Sequence, residues 1–108
     1  ARYAAELMEY WAGRRQAFTF APDMQGTAFQ RAVWQALLRI PYGATRTYSD
    51  IAAEIGRPAA VRAVGAAVEA NPLLIVVPCH RVIGKNGALT GYRGGMAMKE
   101  RLLGLESR

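Results

Sequence analysis

Apolar positions in this chain recur mostly at helical spacing, interrupted by one continuous run, and the pattern predicts a mainly α domain with a small β element. Tyr3, Leu7, Tyr10 and Trp11 fall on one face of a lead-in helix that stops near Gly13, and a looser stretch from Arg14 to Gly26 follows. Thr27 with Gln30 reads as a capping box, ahead of a stripe made by Phe29, Val33, Trp34, Leu37 and Leu38. Pro41, Tyr42 and Gly43 end that helix. A second box, Thr47 with Asp50, opens a short helix carrying Ile51 and Ile55 inward, and Gly56 closes it as a C-terminal cap. Pro58 suits the first turn of another helix, which runs to Ala70.

A short helix, a tight turn and a second helix make the outline of a helix-turn-helix. If Val61, Val64, Gly65 and Val68 form the second helix's apolar face, Ala59, Arg62, Ala63, Ala66 and Ala70 point outward. Small side chains around one Arg let a helix backbone approach another surface, such as a nucleic-acid groove; alanine chosen for helix propensity gives the same pattern. Beyond Asn71 and Pro72, residues 73–77 (LeuLeuIleValVal) predict a buried strand or extended segment. Lys85, Asn86 and Gly87 signal a hairpin turn, residues 91–95 a flexible loop, and Met96, Lys99, Leu102, Leu103 and Glu106 a final helix.

The length, 108 residues, suits one compact domain and excludes a large multidomain enzyme. Fourteen Lys and Arg, twelve of them Arg, against eight Asp and Glu give a net charge of +6, which makes a polyanion the first partner to consider. One Cys and one His cannot build a disulfide framework or an all-Cys/His zinc site, so no metal is expected. A reducing, cytoplasmic setting is expected, since no apolar run approaches the roughly 20 residues that span a bilayer and the first residues lack a signal-peptide pattern. The start at Ala1 is in keeping with a domain cut from something longer.

Cys79 follows the apolar run directly. A lone Cys there serves as a small core hydrophobe or as a nucleophile. The adjacent His80 and Arg81 favour the second role, because imidazole and guanidinium charge stabilise the thiolate. His80 also fits a satisfied structural residue. Glu106 fits both a carboxylate that orients His80 and a solvated charge at a helix end.

Residues 71–83, AsnProLeuLeuIleValValProCysHisArgValIle, closely resemble the active-site signature of the O6-alkylguanine-DNA alkyltransferases of the Ada C-terminal type. The similarity extends through residues 40–52, 62–67 and 91–95 to the terminal helix, and covers nearly the whole chain from about Leu7. It implies a helix-turn-helix, winged-helix-like DNA-binding alkyltransferase domain over 27–108, with 1–26 as lead-in helix and linker. The resemblance implies that the larger amino-terminal domain many members carry is not part of this chain, with 1–26 as its trailing helix, and leaves open whether a regulatory partner domain belongs with it.

The resemblance implies that Cys79 takes an alkyl group from guanine O6 in a single irreversible step. His80 would deprotonate it through a water, with Glu106 orienting the imidazole. Tyr48 would protonate the leaving base, and Asn71 would hold the hinge between recognition helix and active-site segment. Arg62 would fill the stack vacated by an extruded nucleotide, while Ala59, Ala63 and Ala66 fit the narrow minor groove. Val82, Tyr92, Arg93 and Gly94 would line the base pocket. The implied partner is double-stranded DNA containing alkylated bases; a monomer without cofactor or membrane attachment is expected. Two rivals share the outline: alkyltransferase-like binders, which carry Trp in place of the nucleophile, and regulatory helix-turn-helix modules, whose recognition helices are polar.

Overall fold

The computed structural model describes residues 2–19, 24–70, 75–85 and 95–107. Helix α1 (Arg2–Trp11) leads into a loop tied back by Glu6, which accepts the Thr19 backbone N–H at 2.9 Å. Helix α2 (Ala28–Leu38), strand β1 (Arg46–Thr47), α3 (Tyr48–Glu54) and α4 (Val61–Glu69) follow. A 3-10 turn (Cys79–Arg81), strand β2 (Val82–Ile83) and α5 (Met96–Glu106) complete the described elements.

Both capping boxes form. The Thr27 hydroxyl accepts the Gln30 N–H while the Gln30 side chain accepts the Thr27 N–H, and Thr47 and Asp50 repeat the arrangement. Gly56, at φ 76°, supplies the left-handed residue that lets the chain leave α3 within one turn. Helices α2, α3 and α4 then close on one another, with Val33, Trp34, Ala36 and Leu37 packed against Ile51, Ala52, Val64, Ala67 and Val68. Trp34 fixes the register, its indole N–H donating to the Ala67 carbonyl at 2.8 Å inside the core. The helix-turn-helix outline is therefore present, held from behind by an aromatic anchor.

Four details differ from the sequence pattern. The last α2 position of the expected stripe, Leu38, is exposed, and Ala36 is buried instead. Helix α4 begins at Val61, with Ala60 as its N-cap, because the Ala60 N–H closes a turn onto Arg57 O at 2.9 Å; Pro58 and Ala59 belong to that turn. Of the apolar run at 73–77 only residues 75–77 are described: Ile75 takes a left-handed φ of 74°, which breaks extended geometry there, and Val77 makes a single β-bridge before Pro78 leads into the 3-10 turn. The β element is instead a two-residue parallel pair, Arg46 opposite Val82 and Thr47 opposite Ile83. Asn86, Gly87 and the loop at 91–94 lie outside the described residues, so the expected hairpin does too.

Candidate active site and nucleic-acid face

The site is built on the 3-10 turn. Pro78 precedes it, the Cys79 N–H reaches back to Val77 O at 2.8 Å, and the Arg81 N–H to Pro78 O at 3.0 Å. Three residues per turn send successive side chains in three divergent directions. Cys79, His80 and Arg81 can therefore serve different neighbours, and all three are buried.

His80 and Arg81 converge on Glu106 in the last turn of α5. The imidazole Nε2 lies 2.7 Å from Glu106 Oε2, Arg81 Nε donates to Oε1 at 2.7 Å, and Arg81 Nη2 donates to Oε2 at 2.9 Å. The remaining Arg81 nitrogen, Nη1, donates to Ile40 O at 2.8 Å. Glu106 is only 4% exposed, which removes the solvated-charge reading. Burial alone would raise its carboxyl, but hydrogen bonds from His80 and Arg81 hold it at about 2. The carboxylate is thus ionised throughout the ordinary pH range.

Burial acts on His80 with the opposite consequence. The ring is fully enclosed, and desolvation pulls it below the usual histidine range despite the Glu106 contact, with Arg81 and Lys99 adding to the lowering. The imidazole is neutral near pH 7. With Nε2–H given to the carboxylate, Nδ1 carries the lone pair, and among the described residues this buried atom meets no hydrogen-bond partner. This corrects the expectation of imidazolium and guanidinium charge beside the thiol: His80 is an uncharged base, and the Arg81 guanidinium is engaged with Glu106.

Three contributors escaped the sequence reading. Tyr10, from α1, donates its phenol O–H to Glu106 Oε2 at 2.5 Å. Lys99, buried on α5, donates to Val82 O at 2.6 Å; burial lowers its pKa, and the nearby Cys79 sulfur, when ionised, would offset part of that. Tyr42 sets its ring 5.6 Å from the Arg81 guanidinium and edge-on to Tyr10. In the same turn Gly43, at φ 83°, approaches the Glu106 carbonyl so closely that a Cβ would sit 3.1 Å from it. The helical spacing places Tyr10 on the apolar face of the lead-in helix and Lys99 on the final helix, but it does not report the polar partner that either one meets.

Of the other expected residues, Cys79 is 3% exposed and packs with the core. Val82 is fully buried, so its carbonyl rather than a free surface is what it offers. Tyr48, the first residue of α3, follows β1 directly, one position beyond the Thr47–Ile83 pair; a Cβ at Gly65 of α4 would touch its ring at 4.0 Å. Arg62, Ala63 and Ala66 all face solvent on α4, and Ala59 and Ala70 are exposed just beyond its ends. Asn71, Tyr92, Arg93 and Gly94 lie outside the described residues.

Comparison with known proteins adds a match over residues 28–108 to the family described as 6-O-methylguanine DNA methyltransferase, DNA binding domain. The chain belongs to this methyltransferase family. It is 64% identical over 106 residues to the inducible methylated-DNA--protein-cysteine methyltransferase of Bacillus subtilis, covering 98% of the chain and 59% of that protein. It therefore spans well under two thirds of that relative's length. The structure superposes on that of Mycobacterium tuberculosis OGT in complex with DNA with a TM-score of 0.95 at 53% identity, covering 97% of this chain and 65% of that one. A more distant neighbour is S. pombe Atl1 in complex with damaged DNA containing O6-carboxymethylguanine, at TM-score 0.64 and 34% identity over 76% of this chain and 79% of that one. The methyltransferase family's helix-turn-helix fold is thus the fold of this chain.

Proposed function

We propose that the chain repairs duplex DNA by moving an alkyl group from O6-alkylguanine to Cys79 in one irreversible step. The observation that carries this reading is His80, a buried neutral imidazole anchored at Nε2 by Glu106, with its Nδ1 lone pair left over beside the cysteine turn. In the step, His80 Nδ1 takes the thiol proton through a water, the sulfur forms a bond to the alkyl carbon, and the carbon–O6 bond breaks. The electron pair goes to the guanine, which Tyr48 protonates as it leaves. The product is a thioether, and nothing in the chemistry restores the thiol.

A sulfur this enclosed is reached only by a group delivered into the protein, as an extruded nucleotide would be. The small, exposed side chains of α4 suit close approach to the minor groove, with Arg62 entering the vacated stack. The DNA complexes of the mycobacterial and S. pombe neighbours support DNA as the partner. Cys79 itself separates this reading from that of a non-catalytic binder, which lacks a nucleophile at that position.

The test is to mix the chain with duplex containing O6-methylguanine and weigh the protein. One added methyl on Cys79 is expected, and none on Cys79→Ser. An unmodified thiol on a protein that still binds the duplex would replace this proposal with the binder.

A further inference from the structure

Glu106 receives more donors than orienting an imidazole requires. Its Oε1 takes Arg81 Nε, while Oε2 takes His80 Nε2, Arg81 Nη2 and the phenol of Tyr10. The last donor comes from 96 positions away, on the lead-in helix, and its ring is fully enclosed between Phe18 and Tyr42. A buried tyrosine needs a partner for its hydroxyl, but a backbone carbonyl would satisfy it. Here the partner is the very oxygen that holds the base.

We propose that Tyr10 is a positioning residue for the transfer centre: its phenol fixes Glu106 Oε2 against His80 Nε2 and draws off part of that oxygen's charge. This rests on the transfer reading and adds to it a reason for the imidazole's neutrality. A carboxylate facing His80 with undiminished charge would favour imidazolium, the form that has no lone pair on Nδ1. Sharing the charge among a guanidinium, a phenol and the ring keeps the orienting hydrogen bond while weakening the pull on the proton. Tyr10 remains a donor at every accessible pH, because burial, and after it the hydrogen bond to Glu106, holds its phenol far above the ordinary range.

The groups facing His80 come from several elements: Tyr10 from α1, Tyr42 through Arg81 from the turn before β1, Cys79 and Arg81 from the 3-10 turn, Lys99 and Glu106 from α5. Of the groups that bond Glu106 directly, Tyr10 can be altered without changing a formal charge. Removing its hydroxyl makes Oε2 more basic, so His80 should hold a proton more tightly.

The chain has a single histidine, so its imidazole signals in proton NMR need no assignment. In Tyr10→Phe the His80 titration should move upward by about half to one pH unit, roughly half of what one hydrogen bond to a charged group is worth, because the phenol acts on the imidazole through Glu106. The acid limb of the methyl-transfer rate should move up with it. A 3-fluorotyrosine placed at Tyr10 keeps the shape and strengthens the donor, so the titration should move down; this arm decides the matter if Tyr10→Phe does not fold. A His80 titration that stays put, or moves the same way in both proteins, overturns the proposal and leaves Tyr10 as a packing residue. If the unaltered chain accepts no methyl yet the two titrations diverge as described, the transfer reading fails and the link from Tyr10 to His80 stands.

Discussion

The outward face of α4 and the inward face of α5 are built on opposite terms. On α4 the exposed positions are two alanines, Ala63 and Ala66, with Arg62 before them and Glu69 after them. On α5 the buried positions include Lys99 and Glu106, each held by a named partner, and Glu106 alone draws on α1 and the 3-10 turn. A face meant to meet another molecule is kept small and independent of the fold. A face meant to hold a base in one protonation state is charged, enclosed and tied to distant chain. Substitutions on the first should alter partner binding alone, whereas substitutions on the second should alter stability and chemistry together.

Glu106→Gln should show the largest effect. It leaves Arg81 buried without its counter-charge, so stability measured by urea unfolding should fall by about 3 kcal/mol. Transfer to Cys79 in a single-turnover assay should slow on the order of a hundredfold or more, the scale of a disabled general base. A variant that unfolds at the same urea concentration and reacts at the same rate would erase the contrast.

Acid should reach the same cluster without mutation. Glu106 titrates near 2 in the folded protein, below its ordinary 4.5, so its contribution is present above the ordinary value and is lost as pH falls towards 2. That shift amounts to about 3 kcal/mol. His80 is also lowered, from 6.5, and adds a loss of the same sign that begins as pH falls through that value. Urea midpoints should therefore decline steadily from pH 7 to pH 3; a flat profile would mean that the cluster contributes nothing.

A smaller effect is expected behind α4. Trp34→Phe removes the donor to Ala67 O and should cost about 1–2 kcal/mol by thermal or urea unfolding, leaving that carbonyl unsatisfied in the core. On the outer face, Ala66→Leu should change stability by less than about 0.5 kcal/mol yet weaken binding to duplex in a titration. Arg62→Ala should likewise leave stability alone while slowing repair in duplex far more than reaction with free O6-methylguanine. Equal slowing of both reactions would remove the stack-filling role.

The two faces were not equally legible in the sequence. The α3–α4 pair could be read because its signals are local: Thr47 with Asp50, Gly56, and the spacing of Val64 and Val68 all act within a turn or two. The start of α4 was misjudged because Pro58 fits a turn as well as a first helical residue. Within the expected strand or extended segment at 73–77, the described part departs at Ile75, whose left-handed backbone no β-branched residue advertises. The pairing of β1 with β2 involves two residues on each side, too few to show a period. Cys79, His80 and Glu106 were picked out by chemistry and resemblance, but the tasks of Arg81 and Tyr10 follow from contacts 25 and 96 positions long, which spacing cannot report.

That longest contact bears on how little of this polypeptide could stand by itself. The family match begins at residue 28, which invites cutting there. A shortened protein would keep helices α2, α3 and α4, yet the carboxylate of Glu106 would lose its phenol and Tyr42 would lose the ring it packs against. The first helix is upstream in sequence, yet through Tyr10 it reaches the last residue of the last helix.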